Sequence, residues 1–384
     1  MLLILICLIL GLLAGLVPGL HANTLTSALL SINIQDATLP LAIMAMFGAQ
    51  AISSYIPAIF LGIPDEQVVL SVLPGQRMAK EGRGLDALTI MVFSSIIAIL
   101  ACIALFPVSQ ILYPIVFPAI QPYLPHILIL GVLLLVIRSK NPFGYLFVFA
   151  AAGVLGREAF IVRMTDPFLP LFSGMFAMAA ILTFSTSPLP AQKPPKAPEA
   201  SILKYALVGV LFGWIADLLP GVGSPAQIAT FASILVPFAS APAYLAAISS
   251  IGVSQPIFAL STAATIGKGR VGSVAEVSNL IPISENLIPL LALFIIGTVF
   301  ACLFIMVFRK KIGEIAKIDY KMLNLFLAIY LIAIVFLLDS WAGILVFAVS
   351  TLLGLLCIRT NVERTAMMGA IILPTILLLL FSIN

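Results

Sequence analysis

Two short stretches rich in Pro and Gly interrupt the long apolar runs of this 384-residue chain. The first covers residues 15–24, with the sequence GLVPGLHANT, and the second covers residues 217–227, with the sequence DLLPGVGSPAQ. Because Pro lacks a backbone donor and Gly permits a positive φ, each Pro-Gly pair predicts a break in a helix. A helix that restarts after such a break presents unpaired N–H groups and a positive dipole end, which together can bind an anion.

The residues around each break predict how the restarted helix begins. After the second break, Ser224 is predicted as the N-cap, Pro225 as the first helical residue and Gln227 as the partner in a capping box. After the first break, Asn23 is predicted as the N-cap. The substrate-binding candidates in these stretches are Pro18, Gly19, Asn23, Thr24, Pro220, Gly221, Gly223, Ser224 and Gln227.

Each break has a simpler interpretation, since Pro and Gly also kink ordinary transmembrane helices. Two breaks at matching positions of two halves favour a binding site, because inverted-repeat transporters place broken helices at their substrate site. Further hydroxyl and amide side chains that can bind carboxylate oxygens or a cation occur in matching apolar segments of the two halves. These additional substrate-binding candidates are Ser53, Ser54, Ser254 and Gln255.

Three acidic residues in apolar surroundings are candidates for binding a coupling ion, because an ionisable side chain at membrane depth is costly and indicates function. They are Asp217, Asp65 and Glu66. Asp217 stands three residues before a Pro-Gly pair and is the leading candidate. The alternative for Asp65 and Glu66 is a position at the membrane interface. No other cofactor, metal site or catalytic residue is predicted, and the chain carries no enzyme signature.

The composition places these motifs in a membrane protein. Hydrophobic residues make up 62% of the chain and charged residues only 9%, with a mean hydropathy of +1.22, whereas soluble domains are about 25% charged. A soluble enzyme, a disordered chain and a nucleic-acid binder are therefore excluded. Runs such as residues 127–136 are apolar on every face, which predicts helices rather than a barrel of alternating strands. The predicted fold is an all-α polytopic membrane protein.

The chain divides into two similar halves around a Pro-rich stretch. We predict a first membrane repeat over residues 1–184, a linker over 185–201 and a second repeat over 202–384. With the repeats inverted, fifteen Lys and Arg residues fall on one side of the membrane and four on the other. The positive-inside rule then places the linker in the cytoplasm and both termini outside it. This arrangement predicts 10 to 14 membrane segments, some of them re-entrant.

At these positions the chain resembles the large permease subunit of tripartite tricarboxylate transporters, the TctA-like family. The likeness rests on the two Pro-Gly motifs and on residues 59–64 (IFLGIP) and 74–82 (PGQRMAKEG). The resemblance implies a secondary transporter of organic anions driven by a proton or Na⁺ gradient. It also implies a small membrane subunit and an extracytoplasmic solute-binding protein as partners. The chain is shorter than the usual permease.

The leading hypothesis is an ion-coupled transporter of a carboxylate-type anion, working by alternating access with its site between the two breaks. The first alternative is a translocator of a phosphate-bearing lipid such as a polyprenyl phosphate, whose headgroup the same helix ends would bind. The second is a non-transporting membrane scaffold. The expected partners are the small anionic solute and the lipid bilayer, with no nucleic acid, and the oligomeric state is left open.

Overall fold

The protein is helical throughout the part of the chain that the computed structural model describes. Those residues are 1–17, 20–32, 34, 36–62, 72–183, 189–220, 222–236, 240–317 and 320–381, and they contain no strand. The predicted all-α fold is therefore confirmed. Five of the candidate residues, Pro18, Gly19, Asp65, Glu66 and Gly221, lie outside the described residues.

The helices follow the chain in two series. In the first half they are α1 (Leu2–Leu16), α2 (Ala22–Ser31), α3 (Leu39–Ser53), α4 (Tyr55–Phe60), α5 (Val72–Lys80), α6 (Gly84–Ile120), α7 (Leu124–Arg138), α8 (Pro142–Ile161), α9 (Phe168–Phe172) and α10 (Ala179–Thr183). In the second they are α11 (Ser201–Ala216), α12 (Pro225–Leu235), α13 (Ala241–Ile266), α14 (Gly272–Leu280), α15 (Ile283–Ile312), α16 (Tyr320–Arg359) and α17 (Gly369–Phe381). The segment Ser173–Met178 joins α9 to α10 as a π-helix.

Seven helical stretches within the described residues are long and apolar enough to cross a membrane. Four shorter apolar helices accompany them, including α1 and α12. A crossing takes about 20 residues, so these two helices reach only part of the way through a bilayer. The chain is a multi-pass membrane protein, and the number of crossing and re-entrant segments stays a prediction.

The chain turns back on itself at both predicted breaks. Gly11 packs on Met46 and Gly15 on Ser53, so α1 and α3 run in the same direction. The chain must therefore return along α2 before α3 begins. The second half repeats this pattern, because Gly209 packs on Ala247 and Gly213 on Ser254. We call α1–α2 the first hairpin and α11–α12 the second hairpin.

Close helix contacts through Gly also link the two halves to each other. In each contact a Gly leaves room for a backbone carbonyl of the facing helix, which is the usual way that membrane helices approach closely. The contacts are Gly156 on Ala370, Gly369 on Phe149, Gly354 on Met175 and Gly174 on Phe347. As a result α8 packs on α17, while α16 packs on the segment between α9 and α10. The two halves are interleaved, and their inverted relation stays a prediction.

The described part of the Pro-rich linker has no regular secondary structure before α11 and lies against the corner between α5 and α6. Gln192 accepts from the Gly84 amide at 2.8 Å and donates to the Ala79 carbonyl at 3.1 Å. The Lys196 amide donates to Asp86 at 2.8 Å. Most of its described side chains are exposed. Its backbone is nevertheless anchored to the helices.

The Gly contacts predict which glycines tolerate a methyl group. We expect Gly156→Ala to lower stability by about 1–3 kcal/mol, since its Cβ would collide with the Ala370 carbonyl. In Gly313→Ala the atoms nearest to the added Cβ lie 3.5 Å from it, which is an ordinary van der Waals contact, so stability should be unchanged. Thermal unfolding of both variants in detergent checks this. A Gly156→Ala protein as stable as Gly313→Ala would show that the helices do not meet there.

Candidate functional site

A cavity of about 270 Å³ lies where the second hairpin meets the beginnings of α2 and α14 and the middle of α13. Apolar residues including Phe47 and Ile371 form part of its wall. The polar residues that line it are Asn23, Ser224, Gln227, Gln255, Arg270 and Thr375. No carboxylate is among the described residues that line this cavity, and Arg270 is the only basic residue among them.

The beginning of α12 forms one wall of the cavity through the predicted capping box. The Gln227 amide donates to the Ser224 hydroxyl at 3.3 Å, and the Ser224 amide donates to Gln227 Oε1 at 3.0 Å. Pro225 occupies the first turn, as its fixed φ and missing N–H favour. With Oε1 committed to the cap, Gln227 Nε2 is buried and has no partner among the described residues.

The first break contributes Asn23, but not as the predicted N-cap. The helix α2 begins at Ala22, and His21 has the extended backbone of an N-cap residue. The prediction for Asn23 was wrong because its side chain accepts a hydrogen bond from the Ser273 hydroxyl at 2.9 Å, across to α14. Asn23 also fills the space beside Gly272 at the beginning of α14. Asn23 therefore connects the starts of two helices at the cavity.

The middle of α13 contributes Gln255, which is 1% exposed. Its Nε2 group is buried without a partner among the described residues. The next residue is Pro256, which lies inside the helix and has no N–H to donate to the carbonyl of Gly252 one turn earlier. Gly252 and Pro256 both line the cavity, so α13 presents a local gap in its backbone hydrogen bonds there.

Arg270 brings a positive charge to the cavity. Its Nε donates to the main-chain carbonyl of Asp217 at 3.3 Å, and its guanidinium lies 5.2 Å from the centre of the Phe117 ring. Nη2 is buried and lacks a partner in the described part of the chain. Cation–π contact and one hydrogen bond hold the guanidinium in place and leave Nη2 without a partner on a residue that lines the cavity.

Three unsatisfied donors on one cavity are unusual, because a buried polar group without a partner costs about 1–3 kcal/mol. Gln227, Gln255 and Arg270 all offer N–H groups. The beginnings of α2, α12 and α14 add the positive ends of three helix dipoles. The arrangement is suited to an acceptor-rich, negatively charged ligand.

Comparison with known proteins agrees with this chemistry. Residues 1–369 match the sequence profile of the tripartite tricarboxylate transporter TctA family. The chain belongs to this family. It is also similar to an uncharacterized protein of Methanocaldococcus jannaschii, with 26% identity over 96% of each chain. No solved structure matches the chain.

In this TctA family member, five predicted substrate-binding residues line the same cavity. They are Asn23, Gly223, Ser224, Gln227 and Gln255. Their positions come from both halves of the chain, as the prediction of a site between the two breaks required.

Other predicted substrate-binding residues lie away from the lining of the cavity. They are Thr24, Ser53, Ser54, Ser254 and Pro220. Thr24 donates to Asp166 at 2.5 Å, Ser53 donates to the Ala49 carbonyl at 3.0 Å, and Ser54 donates to the Ala51 carbonyl at 3.2 Å. Ser53 and Ser254 face Gly15 and Gly213 in the two hairpins. Each of these four hydroxyl groups either donates to a carbonyl or carboxylate oxygen or packs against a Gly on the neighbouring helix. They therefore contribute to helix packing.

Asp217, the predicted coupling-ion residue, ends α11 beside the cavity and is 1% exposed. Its Oδ2 accepts from the Thr262 hydroxyl at 2.5 Å, while Oδ1 has no partner among the described residues.

The sequence analysis did not predict Arg270 as a site residue, because Arg270 was counted there only among the charges of the loops. Its signal was present, since Lys268 and Arg270 are the only basic residues between Lys204 and Arg309.

The cavity predicts different reactivity for two introduced cysteines. The four native cysteines are buried, so the unmodified chain should react slowly with a membrane-impermeant thiol reagent. We expect Asn23→Cys to react because Asn23 lines the cavity and is partly exposed, and Ser254→Cys to stay protected against Gly213. Labelling of the purified protein followed by mass spectrometry measures both. Equal labelling would contradict the placement of these two residues.

Proposed function

We propose that this TctA family member moves a carboxylate-type anion across the membrane, coupled to a proton or Na⁺, by alternating access. The observation that carries the proposal is the group of three unpartnered donors, on Gln227, Gln255 and Arg270, around one cavity. A planar guanidinium can bind one carboxylate with two parallel hydrogen bonds. The amides would hold the remaining oxygens or a hydroxyl group of the solute.

The electrical balance of the cavity supports an anion over a cation. One guanidinium and three helix beginnings face it, and no acidic side chain is among its described lining residues. A single fixed positive charge fits a ligand that presents one carboxylate to Arg270. Additional carboxylates of a di- or tricarboxylate would then be held by amides and helix ends alone. We therefore expect a ligand with fewer carboxylates to bind more tightly than a ligand with more of them.

The paired hairpins support alternating access. Equivalent Gly contacts pack the first hairpin on α3 and the second on α13, and the cavity takes residues from both halves. Inverted repeats allow one bundle to move against the other around such a site. The scarcity of basic residues outside one set of loops supports a cytoplasmic linker and extracytoplasmic termini. Family membership supports a small membrane subunit and a solute-binding protein as partners.

Uptake into proteoliposomes tests the proposal directly. Purified protein is reconstituted with an inwardly directed proton or Na⁺ gradient and given labelled pyruvate, succinate or citrate. We expect gradient-dependent accumulation of at least one of them. Absence of uptake and of binding for all three would refute a carboxylate transporter, and selective binding of a polyprenyl phosphate would favour the lipid translocator.

Two serine caps provide a matched pair of variants. Ser224 and Ser240 each accept a hydrogen bond of 3.3 Å from the third residue of a helix, but only Ser224 lines the cavity. We expect Ser224→Ala and Ser240→Ala each to lose about 1 kcal/mol of stability. Only Ser224→Ala should impair uptake, because it removes a hydroxyl that lines the cavity and leaves the Gln227 backbone amide at the start of α12 without its acceptor. Equal uptake by the two variants would show that the Ser224 cap at the cavity is not needed for transport.

A further inference from the structure

Asp217, which is buried, and Arg270, which is partly buried and lines the cavity, lie next to each other. The two side chains lie close enough to interact electrostatically, and the Arg270 Nε group already donates to the Asp217 main-chain carbonyl at 3.3 Å. The Asp217 carboxylate has only the Thr262 hydroxyl as a partner, on Oδ2. Its Oδ1 atom and the Arg270 Nη2 atom both lack partners among the described residues. Neither charge is fully compensated.

We propose that Asp217 and the transported anion compete for the Arg270 guanidinium, so that a proton on Asp217 and the anion are bound together. The proposal rests on the anion site proposed above. In the empty site the positive charge of Arg270 partly compensates the Asp217 carboxylate. When an anion pairs with Arg270, the buried carboxylate loses its counter-charge, which is costly. Taking up one proton neutralises it, and the net charge of the site stays the same.

The geometry favours a proton over Na⁺ as the ion taken up. Thr262 Oγ1 and Asp217 Oδ2 are 2.5 Å apart, in direct hydrogen-bond contact. Hard metal cations take several oxygen ligands, and Thr262 is the one side chain among the described residues that is hydrogen-bonded to this carboxylate. A proton needs only the one free carboxylate oxygen, Oδ1, which is buried and has no partner among the described residues.

Few other ionisable groups face Asp217. Arg270 approaches from the loop before α14, and Tyr113 with Cys102 behind it approaches from α6. The Tyr113 hydroxyl is committed to the Trp214 carbonyl at 2.8 Å. The helix α12 has no ionisable side chain, and α13 carries only Tyr244, near its opposite end from Thr262. Asp217 is therefore the group whose titration would couple to Arg270.

Anion binding as a function of pH tests the competition. Equilibrium binding of labelled pyruvate, succinate and citrate to the purified full-length protein is measured from about pH 6 to about pH 9. We expect wild-type affinity to fall at least about tenfold as pH rises, since the carboxylate of Asp217 then reclaims Arg270. Asp217→Asn should bind at every pH about as tightly as wild type does in acid. Protonation of the ligand itself changes with pH in the same way in both experiments, so it does not cause a difference between the two proteins.

Three further variants separate this competition from a structural role. Asp36→Asn removes an exposed carboxylate and should keep the wild-type pH profile. Thr262→Val removes the hydroxyl that stabilises the charged form of Asp217, so the midpoint of the profile should move to higher pH. Arg270→Gln should weaken binding at least about tenfold at every pH, because charge-assisted hydrogen bonds are lost.

Proton uptake gives an independent measurement. Addition of saturating anion to wild-type protein in weak buffer should withdraw close to one proton per site near neutral pH, and addition to Asp217→Asn should withdraw none beyond that of the ligand. A wild-type pH profile in Asp217→Asn or in Thr262→Val, or binding that depends on Na⁺ and not on pH, would overturn the competition while leaving the anion site intact. If wild-type protein binds none of the three anions at any pH, the anion site fails, and the competition fails with it.

Discussion

Hydrogen-bond donors without partners inside an apolar helical protein are the constraint on which this structure depends. Lipid cannot satisfy a polar group, so each break in a membrane helix has to be compensated within the protein. At the second hairpin Ser224 and Gln227 satisfy one another's backbone amides. Other side-chain donors stay unpartnered among the described residues, and three of them belong to Gln227, Gln255 and Arg270, which line one cavity.

Glycine contacts allow the helices that carry these residues to pack closely. The helices of both hairpins approach their neighbours through Gly15 and Gly213, and the halves are joined through Gly156 and Gly354. In a bilayer helix association depends on close packing rather than on exclusion of water. Hydroxyls such as Ser53 are then drawn into these interfaces and away from the cavity. The same packing brings α2, α12 and α14 to a common point.

The charged residues Asp217 and Arg270 also depend on partners within the protein. Asp217 and Arg270 are more than fifty residues apart in the chain, yet they share a main-chain contact behind the cavity. A buried charge is stabilised only by a partner, and here one guanidinium faces both an internal carboxylate and the space for a ligand. In the mechanism that we propose, anion transport and proton uptake both depend on this one electrostatic arrangement.

Local sequence patterns determined the class of the protein, its helical fold and the beginning of α12. These properties depend on overall composition and on contacts between residues three or four apart, such as Ser224 with Gln227, which a sequence displays directly. The sequence also identified polar residues of both halves, Asn23 and Gln255 among them, as members of one site. It misassigned Asn23 as a cap because the competing partner, Ser273, is 250 residues away.

Only the tertiary structure decided which polar residues face the cavity and which face a glycine. Ser254 and Gln255 are adjacent in sequence, and the position of Gly213 on the neighbouring helix separates their roles. Arg270 looked like an ordinary loop charge until the loop was placed against Asp217 and Phe117. Interactions between distant segments depend on how helices pack, and one sequence carries no direct record of that packing.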